Sequence, residues 1–113
     1  MSKNQNQEQI SRICNVLLAS VGKGALWRSD QPTTKALSLR TSSGGMFEPE
    51  ERVMLLLAWA IWDGGGGLKV SDLIQKLERP RLALVGSLLS AMAQGSAAMA
   101  AWLAEHEAKP RSV

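Results

Sequence analysis

One cysteine and one histidine are the side chains that could serve as a thiol nucleophile and an imidazole base. Nucleophilic catalysis requires these two groups within hydrogen-bond reach of each other. Cys14 lies on the apolar stripe of a predicted first helix and His106 on that of a predicted last helix, with no recognisable partner for either. We therefore expect a buried core cysteine, a structural histidine, and a non-enzymatic protein without metal or cofactor.

The glycine run from Gly64 to Gly67 precedes Lys69 and Ser71, which are residue types found in phosphate-binding loops. Such a loop needs Gly-Lys-Ser/Thr without interruption after a buried strand, so that the lysine reaches phosphates and the hydroxyl reaches magnesium. Here Leu68 and Val70 interrupt that order, and a predicted helix precedes the glycines. We expect a flexible turn.

The net charge of +3 is concentrated in residues 22 to 45, which carry four basic residues and one acid. Trp27 beside Arg28, with Lys23 nearby, combines an aromatic face with positive charge, which suits stacking on a base or binding a phosphate. The alternative is that Trp27 folds back onto the helical core while the charges keep the segment soluble.

The same segment contains Leu37 and Leu39, which alternate with Ser38 and Arg40. This alternation predicts a short strand or an extended peptide that docks on a partner. Elsewhere the segment is rich in Gly, Ser and Thr without helical periodicity, so we expect a functional arm or a disordered linker. The candidate partner contacts in it are Trp27, Arg28, Leu37, Leu39 and Arg40.

Between Ser71 and Gln94 the sequence predicts a short helix, a tight turn and a longer helix, in the order of a helix-turn-helix unit. Ser71 would cap the short helix, residues 72 to 78, and Pro80 would begin the longer one, which Gly95 would end. A helix that reads DNA normally offers Arg, Lys, Asn or Gln to base edges, and this one offers mostly Ser, Ala and Gly. DNA binding is therefore the alternative function. Its candidate contacts are Lys23, Arg28, Arg79, Arg81, Ser87 and Gln94.

The longer of these two helices has two different sides. Leucines, Val85 and Met92 cover one side, whereas the other carries small residues, among them Gly86 and Ser90. Small side chains suit close packing against another helix, within the fold or from a partner. The leading prediction is therefore a small adaptor or regulatory protein that binds another protein or itself, with Gly86 and Ser90 as further candidate contacts.

A fully apolar stretch, Val53 to Trp62, lies between acidic residues and the glycine run. Pro49 suits the first turn of a helix, and the neighbouring glutamates complement the positive end of its dipole. Ten apolar residues are too few to cross a membrane, which takes roughly 20. We expect a buried central helix over about residues 48 to 63 and no membrane partner.

The whole chain of 113 residues, with 45% hydrophobic and 20% charged residues, fits one soluble all-α domain. The predicted order is a helix over 5–21, the basic arm or linker over 22–45, a helical core over 46–108, and a short tail over 109–113. The core includes a last helix from Ala97 to about residue 108, capped by Ser96. A cytoplasmic location is expected, because the N-terminus lacks an apolar signal run and the single cysteine cannot form an internal disulfide.

Overall fold

α-Helices form the framework of the computed structural model, which describes residues 2–28, 30–41, 47–65 and 67–107. Within those ranges there are six α-helices, a short 3₁₀ helix at Gly24–Leu26 and no strand. The predicted all-α class is therefore confirmed. The sequence predicts about five helices, and the additional one lies at residues 34–41. The six helices are α1 (Ser2–Ala19), α2 (Thr34–Thr41), α3 (Pro49–Asp63), α4 (Val70–Lys76), α5 (Arg79–Gln94) and α6 (Ser96–Glu107).

Helix α3 is the buried centre of the fold, as its apolar sequence predicts. At its start the Glu51 carboxylate accepts a hydrogen bond of 3.0 Å from the Glu48 backbone N–H. At its end Gly64 adopts a φ of 81°, and its N–H donates to the Ala60 carbonyl. That left-handed conformation favours glycine, which explains why the helix stops there. Its buried residues are Val53, Met54, Leu55, Leu57, Ala58 and Trp59.

Helix α1 packs along α3 and contributes the other half of this core. Ile13, Cys14, Leu17 and Leu18 are fully buried. The helix begins at Ser2, earlier than expected, and its regular hydrogen bonding ends at Ala19, just before the predicted end. In the turn that follows, the N–H of residue 23 donates to the Leu18 carbonyl, and that of residue 22 donates to the Ala19 carbonyl. These two bonds are a Schellman motif, which satisfies carbonyls that the helix end leaves free.

The segment after α1 differs from its prediction. Residues 34–41 form helix α2, so the strand expected over Leu37 and Leu39 is wrong. The Thr33 hydroxyl accepts a hydrogen bond from the Ala36 N–H and donates to the Leu26 carbonyl, which caps the helix and ties it to the preceding loop. Ala36 is fully buried, so the described part of this segment is folded onto the core and is no structureless linker. The rest of the predicted arm, residues 42–45, and the predicted tail, 109–113, lie outside the described residues.

The last three helices form the second part of the fold. Helix α4 packs on α3, α5 packs on α6, and α6 also packs on α1. The predicted cap at Ser71 is wrong, because α4 begins at Val70, where the Asp72 carboxylate accepts from the Lys69 N–H at 3.2 Å. Helix α5 occupies the predicted range and stops at Gly95, whose φ is 114°. Ser96 is the first residue of α6 and does not precede it as a cap.

Candidate functional site

Trp27, predicted as a partner contact, belongs to the core. Its ring is 1% exposed and meets Trp59 and Trp62 edge to face, with centroid distances of 4.9 Å and 5.9 Å. The fold-back alternative therefore describes its position, and the ring is unavailable for stacking on a base. Sequence reasoning missed the residue that holds the loop in place: the Asn15 amide donates to the Trp27 carbonyl at 2.6 Å and to that of Gly24 at 2.9 Å.

Arg40, another predicted partner contact, connects α2 to the end of α3. Its guanidinium carbon lies 4.4 Å from the centroid of the Trp59 ring, and its two terminal nitrogens donate to the Asp63 carboxylate at 2.9 and 3.1 Å. Gly65 approaches the same guanidinium so closely that an added Cβ would collide with it. Burial would raise the pKa of Asp63, but hydrogen bonds from the Gly65 N–H and from Arg40 outweigh that effect and lower the pKa.

A groove of about 390 Å³ opens between α2 and the end of α3. Leu37, a predicted contact, lies on its edge with 56% of its surface exposed. Half-buried Trp62 also lines it. Leu39 is half-buried instead, and its carbonyl accepts a hydrogen bond from Arg52 at 2.9 Å. Arg28 is exposed on the loop, where the Ser11 hydroxyl donates to its carbonyl at 2.8 Å.

Gly86 and Ser90, the predicted contacts on α5, are exposed. A Cβ added at Gly86 would meet no atom from another part of the described chain within 4 Å, so the small side of this helix is uncovered at that position. Helix α6 exposes mainly alanine. We call the exposed residues of both helices that lie between Arg81 and Glu105 the α5–α6 surface. They are Ala83, Gly86, Ser87, Leu89, Ser90, Ala93, Gln94, Ser96, Ala97, Ala100, Ala101 and Ala104.

The α5–α6 surface contains no charged side chain, because no Asp, Glu, Lys or Arg occurs between Arg81 and Glu105. The solvent side of a surface helix normally carries charged and polar residues. Leu89 adds an exposed apolar side chain, with 52% of its surface accessible. Sequence reasoning identified the small side of α5 but missed α6, although the uncharged run through both helices was a signal available in the sequence.

The candidate DNA contacts on α5 are largely engaged within the protein. The Ser87 hydroxyl accepts from the Trp102 indole N–H at 2.9 Å and donates to the Leu84 carbonyl at 2.8 Å. The Gln94 amide donates to the Ser90 hydroxyl at 3.2 Å. Arg81 donates to the Glu50 carboxylate at 3.1 Å, whereas Arg79 is exposed.

Glu50 connects the start of α3 to the start of α5. Besides its ion pair with Arg81, it accepts a hydrogen bond of 2.9 Å from the Glu78 backbone N–H. Burial would raise the pKa of Glu50, but these two donors outweigh it and the pKa is lowered. No local sequence pattern indicates this contact, because the partners lie 28 and 31 positions from Glu50 along the chain.

Cys14 lies in the core, and His106 packs against a tryptophan of its own helix. The Cys14 thiol is fully buried and donates to the Ala58 carbonyl at 3.3 Å. Burial raises the pKa of this thiol far above its ordinary value, so it stays protonated. The His106 ring lies 4.5 Å from that of Trp102. Among the described residues, no group of three His, Cys, Asp or Glu side chains is placed to hold a metal ion.

We found no protein-family model, curated protein or solved structure that matches the chain. Each described helix is too short or too polar to span a lipid bilayer.

Proposed function

We propose that the protein is a small non-enzymatic adaptor or regulatory protein that binds another protein, or a second copy of itself, through the α5–α6 surface. The observation that supports this proposal is an exposed side on two consecutive helices, from Ala83 to Ala104, that carries no charged side chain. The centres of protein interfaces are depleted in charged residues, because burying an unpaired charge is unfavourable. The cytoplasmic location stays a prediction from the sequence.

The small residues of the α5–α6 surface suit contact with a partner helix. Helix axes pack about 8 to 10 Å apart depending on the side chains between them, and Gly86 and Ser90 allow an approach at the short end of that range. Alanine and glycine also lose almost no side-chain entropy when a partner covers them. Leu89, exposed beside them, would gain from burial.

The alternative, a DNA-binding regulator, has less support. Arg81 is paired with Glu50, and the hydroxyl of Ser87 already has both a donor and an acceptor partner. Lys23, Arg28 and Arg79 remain as candidate phosphate contacts, and phosphate contacts alone provide no sequence reading.

The test uses the full chain with a photo-crosslinking amino acid in place of Ala93, and the same substitution at Ser38 on α2 as the control. Both positions are exposed on helices. We expect Ala93 to give a specific adduct, either with one cellular protein identified by mass spectrometry or with a second 12.2 kDa chain. The affinity of the identified partner is then measured with purified proteins.

Charge provides the second step. Ser90→Glu with Ala100→Glu should weaken the measured affinity by about tenfold or more, because each carboxylate would be buried without a partner. Ser38→Glu is the matched control and should leave the affinity unchanged. Equal binding by the double variant, or no specific adduct at Ala93, would refute the proposal. Salt-sensitive binding to duplex DNA by the native protein would favour the alternative.

A further inference from the structure

A second cavity, of about 360 Å³, lies at the beginning of α2. It falls within the size range of small-ligand sites, about 300 to 1,000 Å³. Its walls come from the turn after α1, the start of α2, and Phe47 before α3. Leu26 and Phe47 give it an apolar side, whereas Lys23, Lys35 and the exposed Thr34 give it a polar one, and none of the described residues that line it is acidic.

The two lysines of this cavity differ from four other cations of the fold. Arg12, Arg40, Lys76 and Arg81 are each paired with a carboxylate. Within the described ranges, Lys23 and Lys35 have no such partner, and the Lys23 ammonium lies 5.0 Å from the centroid of the Phe47 ring. Two unpaired cations at one cavity create a positive potential that attracts anions.

The start of α2 adds to that potential. Thr34 and Lys35 are its first two residues, so their backbone N–H groups have no carbonyl partner inside the helix. The first turn contains no acidic side chain to offset the positive end of the helix dipole. Helix start, lysines and the Thr34 hydroxyl therefore meet at one cavity.

We propose that this cavity binds a small amphipathic anion, with its anionic group against Lys23 and Lys35 and its apolar body against Leu26 and Phe47. A phosphate monoester of an aromatic or aliphatic alcohol fits this chemistry best, because its charge at neutral pH approaches −2 and two lysines face it. This site is separate from the α5–α6 surface and does not depend on the function proposed for that surface.

Binding is tested on the full chain by calorimetry and by NMR shifts of residues 22–36, with phenyl phosphate, benzoate, inorganic phosphate and phenol as probes. We expect phenyl phosphate to bind at least about tenfold more tightly than inorganic phosphate or phenol, because it satisfies both sides of the cavity. Added salt should weaken the binding. Benzoate separates the two anion types: tighter binding of phenyl phosphate supports a phosphate ligand, and tighter binding of benzoate overturns that choice.

Three variants at the cavity and one control elsewhere on the surface locate the site. Lys23→Met and Lys35→Met keep most of the length of the side chain, remove its charge, and should each weaken phenyl phosphate binding about fivefold or more. Lys76→Met, on α4, is the matched control and should leave it unchanged. Thr34→Glu separates binding from folding, because an acid in the first turn favours the helix dipole while it repels an anion. This variant should melt no lower than the native protein and lose binding.

No phenyl phosphate binding at about 10 mM, or binding as weak as that of inorganic phosphate, would overturn the proposal. Equal weakening by Lys76→Met would do the same, since it would reveal nonspecific attraction to surface lysines.

Discussion

Two regions of the molecule use their side chains in opposite ways. One is the loop and helix between residues 22 and 41, and the other is the pair of helices α5 and α6, called here the α5–α6 hairpin. The first region looked unstructured in sequence, yet Trp27 is buried in the core and Arg40 is engaged by Trp59 and Asp63. The second has regular helices, yet the small side of α5 is exposed, and at Gly86 no other part of the described chain lies within 4 Å of an added Cβ. Regular sequence patterns therefore predict helices, but internal partners distinguish residues that hold the fold from residues that stay exposed.

Replacement of Trp27 should produce the largest difference in the free energy of unfolding between the two regions. Trp27→Ala removes a fully buried ring that contacts two other tryptophans, and we expect unfolding to become easier by about 3 to 5 kcal/mol. Leu89→Ala, on the α5–α6 surface, is the control and should change the free energy of unfolding by less than about 1 kcal/mol. Urea denaturation measures both. Similar losses for the two variants would mean that the hairpin surface is as important for folding as the loop.

The helices that the sequence predicted well share one property, which is that local signals define them. In α3 and α5 a proline lies in the first turn, and glycine with positive φ follows the last turn. Helix α2 has no comparable pattern, because among its residues whose burial is described, 34–40, only Ala36 is buried. Its cap depends on a hydrogen bond from Thr33 to Leu26, a contact made by the folded loop.

The candidate sites were predictable to a different extent. Gly86 and Ser90 were identified correctly as part of a small helix side, and the structure leaves them exposed. The exposed alanines of α6 were missed, because the pattern that predicts this helix is its buried apolar side. The cavity at Lys23 and Lys35 was not predictable from the sequence, because it forms only where the folded chain brings the turn after α1, the start of α2 and Phe47 together.

Acid should weaken the contact that Glu50 makes between the start of α3 and the start of α5, and should leave the α5–α6 surface unaffected. Its pKa is lowered in the folded protein, so its contribution to stability is present in full above its unfolded pKa, about 4.3, and is lost as pH falls through the folded value. Glu50→Gln should therefore destabilise the protein at pH 7 and have a shrinking effect toward pH 3. Glu105→Gln, beside the α5–α6 surface, lacks an ion pair among the described residues and is the control. Melting temperatures from pH 7 to 3 measure the difference, and a Glu50→Gln effect independent of pH would contradict it.

Two glycine substitutions, one against Arg40 of the first region and one within the second region, should give the smallest changes in stability and the most direct comparison between the regions. A methyl group at Gly65 would collide with the Arg40 guanidinium, and Arg40 could move away only by weakening its contacts with Trp59 and Asp63. Because Arg40 is flexible and partly exposed, we expect Gly65→Ala to cost only about 0.5 to 1 kcal/mol. At Gly86 a methyl group meets nothing, and alanine should stabilise the middle of α5 by about 0.5 to 1 kcal/mol.

The two changes therefore have opposite expected signs for the same added atom. Chemical denaturation of both variants against the native protein measures them, and Gly65→Ala in an Arg40→Ala background should lose its cost if the collision with Arg40 is the cause. Destabilisation by Gly86→Ala would mean that α5 packs against another surface in solution. In that case the methyl group would report contact with a second copy, because its effect would then depend on protein concentration.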